Sequence, residues 1–230
     1  MTNSSYFKFS ETHNTSSKLQ YQNLSTERQQ IFKDALRLLI HIFWSKDGKK
    51  DWVELIDWSK SIWMSLHRTP EFELDQTLQT INILLSDLSH DDLQIELESE
   101  FVRIFINTRG GVTASLYHSF YYDEQHLLMN EPAAEMTRLL EDIGMDTKSG
   151  MGEPPDHLCI ELEYLLFLLE HIEPDPDPDL IKHIQVFASE FMLPWISKFQ
   201  KSIPNYMPAS FFCQTAQTMK QLLIIIGKID

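Results

Sequence analysis

Glu153-Pro154-Pro155-Asp156-His157 places two carboxylates and an imidazole directly ahead of an apolar run, Leu158-Cys159-Ile160-Glu161-Leu162-Glu163-Tyr164-Leu165-Leu166-Phe167-Leu168-Leu169. Three chemistries fit these residue types. An acid at a helix start caps open N–H groups and suits the positive end of the helix dipole. A carboxylate also matches the fork of a guanidinium through two parallel hydrogen bonds. His157 and Glu161 have the helical spacing of a metal-ligand pair, and equally that of an i,i+4 pair that stabilises an isolated helix by about 0.2–0.5 kcal/mol. On residue chemistry alone, the structural role and the binding role both stand.

The run that follows the motif must be a helix near the centre of the protein. Only Glu161 and Glu163 are charged between Leu158 and Leu169, so little polar surface is left for water. Proline is accommodated in a first helical turn, which puts the expected start between Glu153 and Asp156 and leaves Glu153, Asp156 and His157 on the rim of the core. Helical periods recur elsewhere. Ile31, Ala35, Leu38, Leu39 and Ile42 share a face after the cap sequence Ser25-Thr26-Glu27-Arg28, and Leu93, Leu97, Phe101, Ile104 and Phe105 share another after Ser89-His90-Asp91-Asp92. Further helices are expected over 52–66, 74–88, 132–143, 156–172, 179–199 and 208–227. Two connections interrupt them. Residues 107–123 read as a long non-helical passage with Gly110-Gly111 and a tyrosine-rich end, the kind of loop that carries function. The acidic, proline-rich connector 173–179 reads as a stiff solvated strut, or as a hinge through which two copies exchange helices.

Composition narrows the class. Of 230 residues 43 % are hydrophobic and only seven are glycine, which favours an all-α protein, and the length suffices for a full core. The expectation is one compact multi-helix domain over 25–230 behind a polar, flexible segment 1–24. Two cysteines make no disulfide framework, and Cys159 sits in the apolar helix, where a thiol is inert. The first residues show no basic start followed by an apolar stretch, and no run approaches the ~18–20 residues needed to cross a bilayer, so the cytoplasm is the expected compartment. A formal charge of −15, from 19 Lys and Arg against 34 Asp and Glu, repels nucleic acid and favours a basic peptide as partner.

Enzymatic motifs are sparse. Gly150-Met151-Gly152 lacks the lysine and the spacing of a P-loop, neither cysteine has the context of a nucleophile, and His118, His126, His157 and Glu161 match no standard zinc site. Four of the five tryptophans fall between Trp44 and Trp63, a binding strip or, at helical spacing, core.

Five motifs in order resemble the TorD/DmsD family of chaperones for molybdenum-containing oxidoreductases. They are Glu100-Phe101-Val102-Arg103-Ile104-Phe105, Tyr117-His118-Ser119-Phe120-Tyr121, Leu128-Met129-Asn130-Glu131-Pro132-Ala133, the Glu153 to His157 motif with Glu161-Leu162-Glu163, and Leu193-Pro194-Trp195. The chain departs from the family pattern at Ser115 and Leu116, where prolines are common, and at His118, where Glu or Gly is usual. The resemblance covers about 90–200 and leaves the first ninety residues matched in helical character only.

The resemblance implies a TorD-like all-helical fold and a cytoplasmic, non-enzymatic chaperone. Its partner would be the catalytic subunit of a molybdenum oxidoreductase, held by its twin-arginine leader while molybdopterin, the client's own cofactor, is inserted. The leader site is expected at Glu153, Pro154, Asp156, His157, Tyr117, Ser119 and Tyr121. In it the two acids pair with guanidiniums, His157 orients Asp156 or stacks on the peptide, and the tyrosines form walls, with Arg103 and Glu161 as structural support. No metal and no resident cofactor are expected, and a guanine nucleotide at the Asp-His motif is the one exception the resemblance raises. Two other readings remain: a chaperone for a membrane-bound nitrate reductase, and a metal- or nucleotide-dependent hydrolase using Asp156, His157 and Glu161. The chain would act as a monomer or as a helix-swapped dimer.

Overall fold

Short polar side chains that turn back on the backbone set several helix starts. Ser25 Oγ accepts from Arg28 N at 3.4 Å and opens α1 (Thr26–Phe43), and the Asp51 carboxylate accepts from Glu54 N at 2.9 Å and opens α2 (Trp52–His67). After α3 (Asp75–Asp87), Ser89 Oγ accepts from Asp92 N at 3.2 Å and opens α4 (His90–Phe101). The computed structural model describes residues 24–44, 50–69, 72, 74–106, 112–145, 152–172, 177–204 and 210–228. The 1–23 part of the expected N-terminal segment and residues 173–176 of the expected strut lie outside the described residues. Asp177 lies inside them, and its side chain accepts from Asp179 N at 2.9 Å.

The remaining order is a π-helical turn Val102–Ile106, α5 (Ser119–Tyr122), α6 (Glu131–Asp142), α7 (Leu158–Glu170), α8 (Pro178–Val186), a second π segment Phe187–Met192, α9 (Leu193–Ser202) and α10 (Phe211–Ile226). The fold is all-α. No helix among the described residues is long and apolar enough to cross a membrane.

Three sequence expectations need correction. The 107–123 passage is not wholly non-helical, because Ser119–Tyr122 makes one helical turn. The expected single helix over 179–199 is divided by the Phe187–Met192 π segment directly before Pro194. Proline has no N–H and its ring crowds the carbonyl four residues back, and a wider turn relieves both. The central helix α7 begins at Leu158, later than the prolines suggested. His118 N donates to Asp156 O at 3.0 Å and Leu158 N donates to Leu116 O at 2.8 Å, so Tyr117 and His157 form an antiparallel bridge. That pairing holds His157 at φ −68°, ψ 136°, extended backbone that cannot belong to a helix.

Helix α7 is buried on most of its surface, packed by α1, α8 and the second π segment. The core is one contiguous cluster that includes a group of edge-on and tilted rings. Phe212 from α10 meets Trp52, Phe101 and Phe105 with ring centroids 5.5, 5.8 and 5.3 Å away. Trp52, Trp63 and Trp195 are fully buried, so these three are core and not a binding strip.

Candidate functional site

The chain crossing at Tyr117 and His157 brings the second and fourth motifs together. Asp156 lies under the first turn of α5, where its Oδ2 accepts from Ser119 N at 2.8 Å. Ser119 in turn holds the start of α6, since its Oγ accepts from Asn130 N at 3.3 Å and its carbonyl accepts from Asn130 Nδ2 at 3.3 Å. Tyr117 Oη donates to Glu153 Oε2 at 2.6 Å. Burial, then this carboxylate, raises the tyrosine's pKa, so the phenol keeps its proton.

His157 closes the entry to α7 with its own ring. Its Nδ1 accepts from Cys159 N at 3.2 Å, filling the capping role expected of an acid, and its face lies edge-on to Trp44 and Tyr117 at centroid distances of 5.5 and 5.2 Å. Accepting at Nδ1 requires the neutral ring. Burial pushes the His157 pKa down to about 4, aided by the cation of Lys50 and opposed by Glu153 and Asp156.

This fixes the sign of a pH dependence. The unfolded imidazole titrates near 6.5, so between roughly pH 6.5 and 4 the unfolded chain binds more protons than the folded one. The stability contributed by neutral His157 is complete above that window and falls by about 3 kcal/mol as pH drops through it. Unfolding free energies of wild type and His157→Gln across that range are expected to converge on the acid side. Parallel curves would show that the ring does not titrate in this way.

Glu161 has a different role from the one its spacing to His157 suggested. Its Oε1 is 3.0 Å from His118 Nδ1 and its Oε2 accepts from Trp195 Nε1 at 2.9 Å, so the expected His157–Glu161 pair is replaced by a bridge between α7, the α5 loop and α9. The His118 ring stacks on Trp195 at 5.2 Å and an 18° angle. Burial raises the Glu161 pKa, and His118 works against that rise. In the sequence His118 stands out as a departure from the family pattern and as a histidine available to a metal, not as a partner of Glu161. The available signal was a second polar residue in an apolar setting that had to be matched to buried Glu161.

The rim expected at the motif is largely internal. Asp156, His157 and Glu161 are 0 %, 2 % and 0 % exposed, and Ser119 and Tyr121 are buried as well. Tyr117, Glu153 and Pro154 are half-buried, and Arg103 is exposed on its π turn near Glu100. Asp156 therefore presents no carboxylate to an incoming guanidinium, and Tyr121 is part of the core, stacked on Trp195 at 5.8 Å. The physical reason is the crossing itself, which lays residues 115–121 over the motif. Asp156 and His157 likewise offer no exposed side chain to a nucleotide. Among the described residues, no three of His, Cys, Asp and Glu stand where they could share a metal ion.

A second acidic area lies at the starts of α2 and α4, an open depression of ≈ 690 Å³ with Asp51, Glu54, Asp57 and Asp91 in its lining. At its edge Lys50 sits over the rings of Trp52 and Phe101 at 4.8 and 4.1 Å. Burial lowers the Lys50 pKa to about 8, with Cys159 and Glu98 acting in the opposite sense.

A redox enzyme maturation protein from Archaeoglobus fulgidus, known from a crystal structure, shares this fold. It aligns with a TM-score of 0.50 over 84 % of this chain and 93 % of its own, at 20 % identity. The family described as nitrate reductase delta subunit matches residues 71–201, a span that holds every one of the expected site residues, and the chain belongs to this family. Two curated relatives, both named chaperone protein TorD, are similar in sequence. The one from Vibrio parahaemolyticus is 31 % identical over 147 residues, 61 % of this chain and 65 % of its own length, and the one from Aliivibrio salmonicida is 32 % identical over 143 residues, 60 % and 65 %. The chain thus spans slightly less than two thirds of these curated relatives.

Proposed function

We propose that this chain is a non-enzymatic chaperone that binds the twin-arginine leader of a molybdenum oxidoreductase subunit and holds that subunit while its cofactor is inserted. The observation that carries this reading is the family membership over 71–201, joined to relatives named as TorD chaperones. The geometry adds a half-buried carboxylate, Glu153, fixed by the Tyr117 hydroxyl and aimed from a rigid crossing, which is a suitable first contact for a guanidinium. In this reading Glu153, Pro154 and Tyr117 touch the peptide, while Asp156, His157, Ser119 and Tyr121 hold the surface that it touches. Two or three leucine-sized side chains docking beside Glu153 would contribute ~1.5–3 kcal/mol each. Ordering the disordered leader costs ~2–5 kcal/mol. The result is a moderate affinity suited to a client that must be released, in the compartment where the apo-enzyme is made, the cytoplasm.

The test is calorimetric titration of the chain with the leader of an oxidoreductase co-purified from the native host. The Arg-Arg leader is expected to bind, with a loss of about ten-fold when both arginines become alanine and of several-fold for Glu153→Gln. Equal affinity for the Arg-Arg and Ala-Ala peptides would sink the leader reading.

The family description favours one alternative, a client that is the catalytic subunit of a membrane-bound nitrate reductase. Mass spectrometry of the co-purified subunit separates the two clients.

A further inference from the structure

We propose that the turn between α5 and α6 is the docking point for the apolar run of the client's leader, and that Asp156 positions it from below through Ser119. This inference rests on the leader-binding reading above and adds which surface takes the apolar part. Tyr122, Leu127, Leu128 and Met129 are 54, 56, 48 and 62 % exposed; Tyr122 ends α5 and the other three lie in the short stretch between the two helices. Single exposed leucines are ordinary, but consecutive apolar residues held out together into water mark an interaction surface.

The turn is built to hold them out. His126 and Met129 have φ of +54° and +60°, left-handed backbone that bulky side chains rarely adopt. Strain of this kind persists only where surrounding contacts over-determine it. Here they do: His126 stacks on Phe120 at 4.6 Å with its Nδ1 2.7 Å from the Phe120 carbonyl, and Asn130 Nδ2 donates to Leu127 O at 3.2 Å. Asn130 is itself fixed to Ser119, and Ser119 N to Asp156 Oδ2. The buried carboxylate of the motif is thus the foundation of the exposed turn, two hydrogen-bonded steps away.

Charge selects the occupant. From Val112 to Thr137 the chain contains no Lys or Arg, whereas Asp123, Glu124 and Glu131 flank the apolar residues and are exposed. Lys198 Nζ, which reaches the end of α5 from α9, donates to the Tyr121 carbonyl at 2.7 Å. A greasy knob ringed by acids fits a segment whose apolar run adjoins basic residues, the chemistry of a twin-arginine leader. Leucine and methionine side chains adapt to such a segment without fixing its sequence.

The experiment uses the full chain and a synthetic peptide with an Arg-Arg pair followed by a leucine-rich run. The triple variant Leu127→Ser, Leu128→Ser, Met129→Ser changes only exposed side chains and is expected to keep the helical circular dichroism while its affinity falls about ten-fold or more. A peptide whose leucines are replaced by serine is expected to bind the wild type weakly and to lose nothing further with the triple variant. For the positioning role, Asp156→Ala is expected to weaken binding and to speed amide exchange at Ser119 and Asn130. Asp156→Asn, whose amide oxygen still accepts from Ser119 N, is expected to restore both. Wild type that binds the peptide while the triple variant binds within about two-fold overturns this inference and leaves the leader reading standing. A wild type that does not bind overturns both. A wild-type dimer that the triple variant splits, with peptide affinity unchanged, assigns the knob to a second copy of this chain and overturns the inference as well.

Discussion

Glu161→Ala is expected to lower the unfolding free energy by about 3–5 kcal/mol, the range found when one member of a buried polar or ionic pair is removed. The carboxylate is completely buried and joins two otherwise separate side chains, His118 on the loop before α5 and Trp195 on α9. Its loss leaves the Trp195 N–H without an acceptor, strips His118 Nδ1 of its partner and opens space in a close-packed region, and each of these is costly. For a chain of this size a change of that order corresponds to a fall in Tm of roughly 10 °C. Urea unfolding followed by circular dichroism measures it directly. Glu161→Gln keeps an oxygen for Trp195 but sets an amide against His118, and should cost about 1–2 kcal/mol. The decisive arm is a double-mutant cycle with Trp195→Phe, which deletes the N–H and preserves most of the ring. Coupling above about 0.5 kcal/mol is expected for residues in direct contact, and additive losses would mean that the two side chains act independently.

How much of this was visible in the chain depends on whether the controlling partner is local. The starts of α1 and α4 were legible because Ser25 and Ser89 bond to N–H groups three residues on. The start of α7 was not, because the partners that hold Asp156 and His157 extended are the backbones of Leu116 and His118, about forty residues earlier in the chain and invisible to a window reading. The π segments escaped for another reason. Val102–Ile106 and Phe187–Met192 keep an apolar pattern close enough to a helical period that only Pro194 hinted at a break. In the site, the polarity of Asp156 and His157 suggested a surface rim, since such residues are mostly exposed. Each is buried with one partner, Ser119 N for Asp156 Oδ2 and Cys159 N for the ring, while Asp156 Oδ1 is buried with no donor among the described residues. The family resemblance grouped the Tyr117 and Glu153 motifs, which the chain crossing joins, and could not say which of their side chains face water. Glu153 does in part, Asp156 does not, and of the exposed apolar turn at Leu127 to Met129 the sequence singles out only Leu128 and Met129, as part of a family motif.

The helices of the first ninety residues, where family resemblance reduces to helical character, join the rest through α1 against α7, α3 against α10 and an aromatic junction at Phe212. Phe212 in α10 is fully buried and contacts Trp52 of α2 together with Phe101 and Phe105 of the α4 segment, at centroid distances between 5.3 and 5.8 Å. Trp52 is further fixed there by its indole N–H, which donates to Glu98 Oε2 at 2.6 Å, and by Gln94 Oε1, which accepts from Trp52 N at 2.8 Å. Phe212→Ala removes the common neighbour of three aromatic rings that cannot easily collapse into the gap, because two of them are held by their own helices and the third by its hydrogen bonds. The expected cost is about 3–5 kcal/mol. Because the same contacts join α2, α4 and α10, the whole transition should move while remaining a single step with an unchanged denaturant slope. If Phe212→Ala instead produced two separated transitions, or shifted only part of the helical signal, the 25–230 region would have to be treated as two cooperative units.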